Sequence, residues 1–228
     1  MNEVESLSTE RRALRIAVPK GELFDGSVSL LARAGLDTTT LADPGRQLVI
    51  SAGPVEYYIL RPSDVPVFAA HGGVDCAICG KDTLVELGLD IVELADLKFG
   101  ACRFIVAEQA GSRDAVLARQ AQSGVLRVAS KYPHITEQYY AQQGVQIELI
   151  VMHGNIELAP LVGMADRIVD ITATGRTLRE NNLIIVDEVM HSTARFIANP
   201  ASVRVDSRVY ELADLLIETV GKDLVDAS

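Results

Sequence analysis

Asp170 stands a few residues ahead of the run Ala173-Thr174-Gly175-Arg176-Thr177, so a carboxylate precedes a turn built from small and hydroxyl-bearing residues. The β-branched run Arg167 to Thr172 reads as a strand, and Leu178 to Asn181 as the start of a helix. A helix beginning in such a turn offers unpaired backbone N–H groups and the positive end of its dipole, which suits a phosphate. Thr172, Thr174 and Thr177 add hydroxyl donors, and Gly175 lets the backbone come close to a ligand. A carboxylate at Asp170 repels phosphate, so the groups it would serve are sugar hydroxyls, which it can accept in a fork. The same run is also compatible with an ordinary βα junction in which threonine caps the helix, and the spacings GxxxxGK[ST] and GxGxxG are both missing. Glu157, in GNIELAP, is a second carboxylate where a helix follows a strand; service to the helix dipole is its simpler role.

Other charged residues sit just after strand-like runs. Lys20 and Gly21 follow the first strand, at the edge where open α/β folds bind ligands, and Lys20 suits either a pyrophosphate or open solvent. Gly80-Lys81 repeats that strand-glycine-lysine order, and Lys131 with Tyr132 follows a later strand, with Pro133 at the first position of the next helix. Arg61 ends a hairpin, and Ser63 or Asp64 is expected to cap the helix after it. Cys76 and Cys79 have C-x-x-C spacing but lie in the strand-like VDCAIC, where residues three apart face opposite ways, so buried structural thiols are expected. The histidines 71, 134, 153 and 191 are too scattered for a recognisable metal site.

Strands and helices must alternate along the whole chain to place these residues, with no repeat or low-complexity segment. The order suggests two α/β lobes: a tail over 1–12, lobe I from 13–104 plus 186–228, and lobe II from 105–185, with a cleft between them. A chain of 228 residues with 48% apolar content is long enough for such a pair. Its net charge of −10 argues against nonspecific nucleic-acid or membrane-surface binding. The apolar runs are strand-sized and the N-terminus lacks a signal core, so a cytoplasmic protein is expected.

LRIAVPKG (14–21), the stretch 59–82, LKFGACRFIVA (97–107), the stretch 128–145, and above all GNIELAPLVGMADRIVDITATGRTLRENNL (154–183) resemble the ATP phosphoribosyltransferase family, and RFIANPAS (195–202) continues the likeness. DITATGRTL resembles that family's phosphoribosyl-pyrophosphate loop. The resemblance implies a type II periplasmic-binding-protein-like fold and transfer of 5-phosphoribosyl from phosphoribosyl pyrophosphate to N1 of ATP, with Mg²⁺, opening histidine biosynthesis. The chain stops soon after the 207–220 helix and so resembles the short form. That form implies a homodimer that joins a histidyl-tRNA-synthetase-like regulatory subunit in a hetero-octamer. Glu22 stands where many short forms have arginine, and Asn155 where the family has a small serine.

With that resemblance, Ala173, Thr174, Gly175, Arg176 and Thr177 are expected to hold the 5-phosphate, and Asp170 and Glu157 the ribose hydroxyls. Lys20 and Gly21 are expected at the pyrophosphate, which carries the Mg²⁺, with Arg61, Lys81 and Lys131 contacting ATP. A second hypothesis is a two-lobed small-molecule binding module without catalysis, because the same frame hosts both functions.

Overall fold

The apolar pattern switches repeatedly between period two and the helical period, and the elements follow it. The computed structural model describes residues 12–43 and 45–226. In chain order these hold β1 (Leu14–Pro19), α1 (Phe24–Arg33), β2 (Val49–Ala52), β3 (Val55–Leu60), α2 (Val65–Ala70), β4 (Cys76–Gly80), α3 (Lys81–Leu87), β5 (Val92–Asp96) and β6 (Cys102–Gln109). They continue with α4 (Arg113–Ser123), β7 (Leu126–Ser130), α5 (Pro133–Gln142), β8 (Ile147–Val151), α6 (Leu158–Leu161), β9 (Arg167–Thr172), α7 (Arg176–Glu180), β10 (Leu183–Ser192), β11 (Ala194–Ala198), α8 (Pro200–Val205) and α9 (Arg208–Asp226). No helix among the described residues is long and apolar enough to cross a membrane.

Two compact units form. One is the described part of Met1–Cys79, Leu89–Lys98 and Arg195–Ser228, and the other is Gly80–Gly88 with Phe99–Ala194. These bounds differ from the expected lobes at three places, the first being residues 99–104, where β6 already pairs with β9 and β10. Residues 80–88 belong to the second unit because the Glu86 carboxylate on α3 accepts the N–H groups of His134 and Ile135 at the start of α5, each at 3.1 Å. Residues 186–194 stay there too, because β10 runs on as a ten-residue strand paired with β6 as far as Ser192 opposite Cys102. The expected tail lies outside the described residues save for Arg12.

The first unit's sheet has the order β2-β3-β1-β4-β11-β5. β1 runs parallel to β3 and β4, while β2 and β3 form the antiparallel hairpin expected around Gly53, whose φ of +60° suits glycine. All five residues of β4 are buried, so Cys76 and Cys79 are core thiols on a central strand. Val209, Leu212, Ala213, Leu216 and Val220 form a buried stripe along α9 at helical spacing.

The second unit's sheet has the order β10-β6-β9-β7-β8, with β8, β7 and β9 parallel and β6 antiparallel to β9 and β10. Alternate residues feed two cores. Ile105, Ala107, Ala129 and Ile168 meet Ile156, Ala159 and Leu178 on one face, while Phe104, Val106, Val128 and Val169 meet Val116, Ile135 and Tyr140 on the other.

Both units fix a parallel strand pair with the same ionic device. LRIA at 14–17 recurs as LRVA at 126–129. Asp75, which leads into β4, donates its N–H to Arg15 C=O at 2.9 Å, and its carboxylate accepts the Arg15 N–H at 3.0 Å and the guanidinium at 3.2 Å. Asp166, which leads into β9, repeats this with Arg127 at 2.8, 3.0 and 2.9 Å. The motif escapes a repeat search because four residues over a separation of 112 carry no period. Asp75 has no exposed surface and also accepts both Arg12 N–H groups at 2.7 Å and the Ser202 hydroxyl at 2.8 Å. Burial pushes the Asp75 carboxyl up, but these bonds prevail and hold it well below the usual carboxylate range.

A carboxyl with a depressed folded pKa contributes stability above its unfolded value, about 3.9, and loses it as the pH falls toward the folded value. Asp75→Asn is therefore expected to lower the unfolding free energy at pH 7 by about 2–3 kcal/mol, since it removes the buried charge on which the Arg12, Arg15 and Ser202 donors converge. Urea titration at pH 7 checks this, and the wild type should converge on the variant as the pH falls below about 4.

Candidate active site

The C-terminal ends of β8, β7 and β9 lie side by side, because Ser130 is in register with both Val151 and Val169. Lys131 and Tyr132 leave the end of β7, the 152–157 segment leaves β8, and Asp170 to Thr177 end β9. Ile168 and Asp170 share a strand face by alternation, and Ile168 packs with Ile156 and Leu178. Glu157 follows Ile156 and Thr177 precedes Leu178, so two apolar anchors bring the second carboxylate and the turn to Asp170's side of the sheet.

Asp170 is mostly covered and accepts the Ile171 N–H at 2.8 Å. Burial pushes its carboxyl up to about 6; the Ile171 amide opposes this, Glu157 adds to it, and Lys131 lowers it. The two expected carboxylates and Lys131 therefore feel one another's charge. Tyr132 packs edge-on against Phe104 at 4.7 Å between centroids, and its hydroxyl is pushed well up by burial and then by Asp170. Lys131 Nζ lies 5.9 Å from the centre of that ring.

The turn after β9 differs from the expected helix entrance. α7 starts at Arg176 and is five residues long, with Gly175 as its N-cap, so no threonine side chain caps it. Thr172 Oγ1 accepts the Gly175 N–H at 2.8 Å and Thr174 Oγ1 the Arg176 N–H at 3.4 Å, so hydroxyls close the turn on itself. Gly175 is buried at φ +68°, and a Cβ there would come within 3.3 Å of the Arg179 guanidinium. The first amide bonded back along the helix is Arg179 to Gly175 C=O, leaving those of Thr177 and Leu178 ahead of the ladder. Arg176 turns along the helix to Glu180 at 2.7 Å. Ala173, Thr174, Arg176 and Thr177 are exposed.

Glu157 is the N-cap of α6, a four-residue helix, after Asn155 at φ +49°, a left-handed conformation asparagine tolerates. Asn182, just past the end of α7, does the same at φ +55°, as expected for a helix terminus. Lys81 is the first residue of α3 and donates its N–H to Thr193 C=O at 3.0 Å.

In the first unit, Pro19 pairs with Leu60, so Lys20 and Arg61 leave adjacent parallel strands and both are exposed. Lys20 N–H donates to Leu60 C=O at 2.8 Å, and Gly21 takes φ +79° in the short 3₁₀ turn that follows. The expected cap of α2 is absent: Ser63 donates to the Asp64 carboxylate at 3.1 Å, and neither side chain caps the helix. Ser130 and Glu86, which organise the turn around Lys131, went unremarked in the sequence. A serine closing an apolar strand gives no sign of its burial, and a carboxylate on α3 none of its reach to α5.

The fold is that of α/β proteins of the periplasmic-binding-protein type, and its residues capable of acid, base and phosphate chemistry gather at C-terminal strand ends. The structure of Tv2483 bound to L-arginine shares it at a TM-score of 0.57 and 16% identity, covering 93% of this chain and 87% of that one. The family description "HisG: ATP phosphoribosyltransferase" matches residues 61–221. The ATP phosphoribosyltransferase of Rubrobacter xylanophilus is 47% identical over 212 residues, 93% of this chain and 97% of that protein. The ATP phosphoribosyl transferase (HisG:HisZ) complex from Thermotoga maritima aligns at a TM-score of 0.76 and 31% identity, over 92% of this chain and 99% of that one. The chain belongs to the ATP phosphoribosyltransferase family, whose reaction is the first step of histidine biosynthesis.

Asp170 has a raised folded pKa, so its contribution to stability is present below about pH 4 and lost as the pH rises through about 6. Asp170→Asn is expected to raise the unfolding free energy at pH 8 by about 1–2 kcal/mol and to change it little at pH 3.5. Denaturant titrations at the two pH values test this, and equal effects at both would show that the carboxylate is not desolvated.

Proposed function

We propose that the strand ends of the second unit hold the ribosyl donor, with the 5-phosphate on the turn Ala173–Thr177 and the ribose 2- and 3-hydroxyls on Asp170 and Glu157. Adenine N1 supplies the electron pair for the new bond to ribose C1, and the C1–O bond to pyrophosphate breaks with its pair leaving on oxygen. Positive charge builds on the sugar in such a displacement, by analogy with glycoside chemistry. An ionised Asp170 close to the ribose stabilises that charge without forming a bond. The observation that carries this reading is the joint field of Asp170, Glu157 and Lys131 at one sheet edge, next to a turn prefolded by its own hydroxyls.

Lys20 and Gly21 are assigned to the leaving pyrophosphate, and Arg61, Lys81 and Lys131 to ATP. Arg176 serves the donor only by leaving Glu180, because it is engaged there. Mg²⁺ would neutralise the departing pyrophosphate. Among the described residues no group of three or more His, Cys, Asp or Glu side chains could hold a metal. That donor set fits a metal that arrives on the substrate's phosphate oxygens, as Mg²⁺ commonly does. The HisG:HisZ complex of the Thermotoga maritima relative supports a short-form assembly for this chain. In it, a homodimer joins a histidyl-tRNA-synthetase-like regulatory subunit in a hetero-octamer, in the cytoplasm.

The purified chain mixed with ATP, phosphoribosyl pyrophosphate and Mg²⁺ is expected to release pyrophosphate with the ultraviolet change of N1-substituted adenine. Binding of both ligands without either signal would favour a module that does no chemistry. Asp170→Asn should lower kcat by about 100-fold, and kcat/KM of the wild type should rise with pH through about 6 as Asp170 ionises. Full turnover in the variant removes the ribose assignment. Thr177→Val should raise KM for the ribosyl donor about tenfold, the worth of one bond to a charged group, and an unchanged KM counts against the phosphate turn.

A further inference from the structure

Ser130 ties together the three strand ends of the second unit. It closes β7 and has no exposed surface. Its hydroxyl donates to Val169 C=O at 2.8 Å, the residue before Asp170, and accepts the N–H of Tyr132, the residue after Lys131, at 2.9 Å. Its own C=O accepts the Met152 N–H at 2.9 Å, at the start of the segment that leads to Glu157. One side chain thus bonds the turn carrying Lys131 to the strand carrying Asp170, while its backbone holds the segment carrying Glu157. Two further contacts keep the turn from swinging. Thr136 donates its N–H at 3.0 Å and its hydroxyl at 2.6 Å to Tyr132 C=O. Glu86 holds the next two free amides of α5 at 3.1 Å.

We infer that Ser130 is a positioning residue for phosphoribosyl transfer: its hydroxyl fixes Lys131 beside Asp170, so that the lysine's charge keeps the carboxylate ionised when the sugar needs it. This rests on the reading of Asp170 given above. The groups whose charge reaches Asp170 are Glu157, from the segment after β8, and Lys131 and Tyr132, from the turn after β7. Of these Lys131 alone favours the ionised form, and it is exposed on a flexible side chain. A countercharge has a steady effect only if its backbone is held, and Ser130 supplies that hold.

The test reads Asp170 without relying on turnover, by ¹³C NMR titration of its carboxyl in the ligand-free chain, with kinetics beside it. Ser130→Ala is expected to raise the Asp170 midpoint by about one pH unit, as loss of a nearby opposite charge does. It should move the acidic limb of the kcat/KM profile by the same amount and lower kcat about tenfold, with KM for the ribosyl donor within about twofold. Lys131→Met should give the same rise, and the double variant no more than either alone. Ser130→Cys keeps the size of the side chain with a much weaker donor and acceptor, and reads the same bond if the alanine variant does not fold. An unmoved midpoint in a folded Ser130 variant, or fully additive shifts in the double variant, overturns the inference. A fully active Asp170→Asn overturns instead the reading beneath it, so the two failures are separable.

Discussion

Parallel strands have no hairpin to set their register, so something else must stop one strand sliding on its neighbour. In both units that stop is an aspartate at the mouth of the incoming strand, gripped by the backbone and guanidinium of an arginine at the second position of the adjacent strand. A one-residue slip would break the main-chain bonds of Asp75 or Asp166, leave a buried charge without its partner, and turn each core face outward. Every candidate site residue is counted from these registers. In the second unit, Lys131 adjoins Asp170 because Ser130 pairs with Val169 in the register that Asp166 fixes. The same device in two units whose strands agree at only three of four positions, LRIA and LRVA, shows the constraint to be local chemistry rather than length or composition.

Three of the buried or mostly buried carboxylates differ in what surrounds them. Asp75 and Asp166 are surrounded by arginine donors and held below the usual range despite burial. Asp170 has one backbone donor and the partial influence of Lys131, and it lies above that range. The first two are satisfied internally and serve structure. Among the described residues the third accepts only the Ile171 amide and so has unspent accepting capacity. A desolvated carboxylate with unspent lone pairs is costly to folding and suited to a ligand bearing hydroxyls, the usual signature of a functional position. An overall charge of −10 does not prevent this, because each contact is set within a few ångströms.

Much of this was legible along the chain. β9 falls where the pattern of apolar residues puts it, at Arg167–Thr172, because it is bounded by a sharp change of residue type. β5 at Val92–Asp96 was missed, since its burial alternates weakly and acidic residues interrupt it. The short helices α6 and α8 are held by tertiary contacts and by the Asn199 cap rather than by any periodicity. Unit membership was harder to read. α3 belongs with α5 through Glu86, a bond between residues 48 and 49 positions apart that no local pattern encodes. The carboxylates and the turn were visible as residue types, but Ser130 was not, because its role depends on which strands lie on either side of it.

The turn after β9 also differs in its physics from what its residue types suggest. A dipole at a helix N-terminus grows with aligned peptide units, and α7 has only five residues. What the segment offers instead is preorganisation. Thr172 and Thr174 spend their acceptor capacity on the amides of Gly175 and Arg176, which fixes the loop before any ligand arrives. Gly175 makes the necessary left-handed step at φ +68°, where a side chain would be strained and would crowd Arg179. The amides of Thr177 and Leu178 lie ahead of the helical ladder on a backbone already fixed by the turn. Ordering costs met during folding are not charged again on binding, so a short, stiff turn can do what a long helix dipole would do less specifically. Leu178, buried in the same core as Ile156, is the residue that makes the stiffness possible.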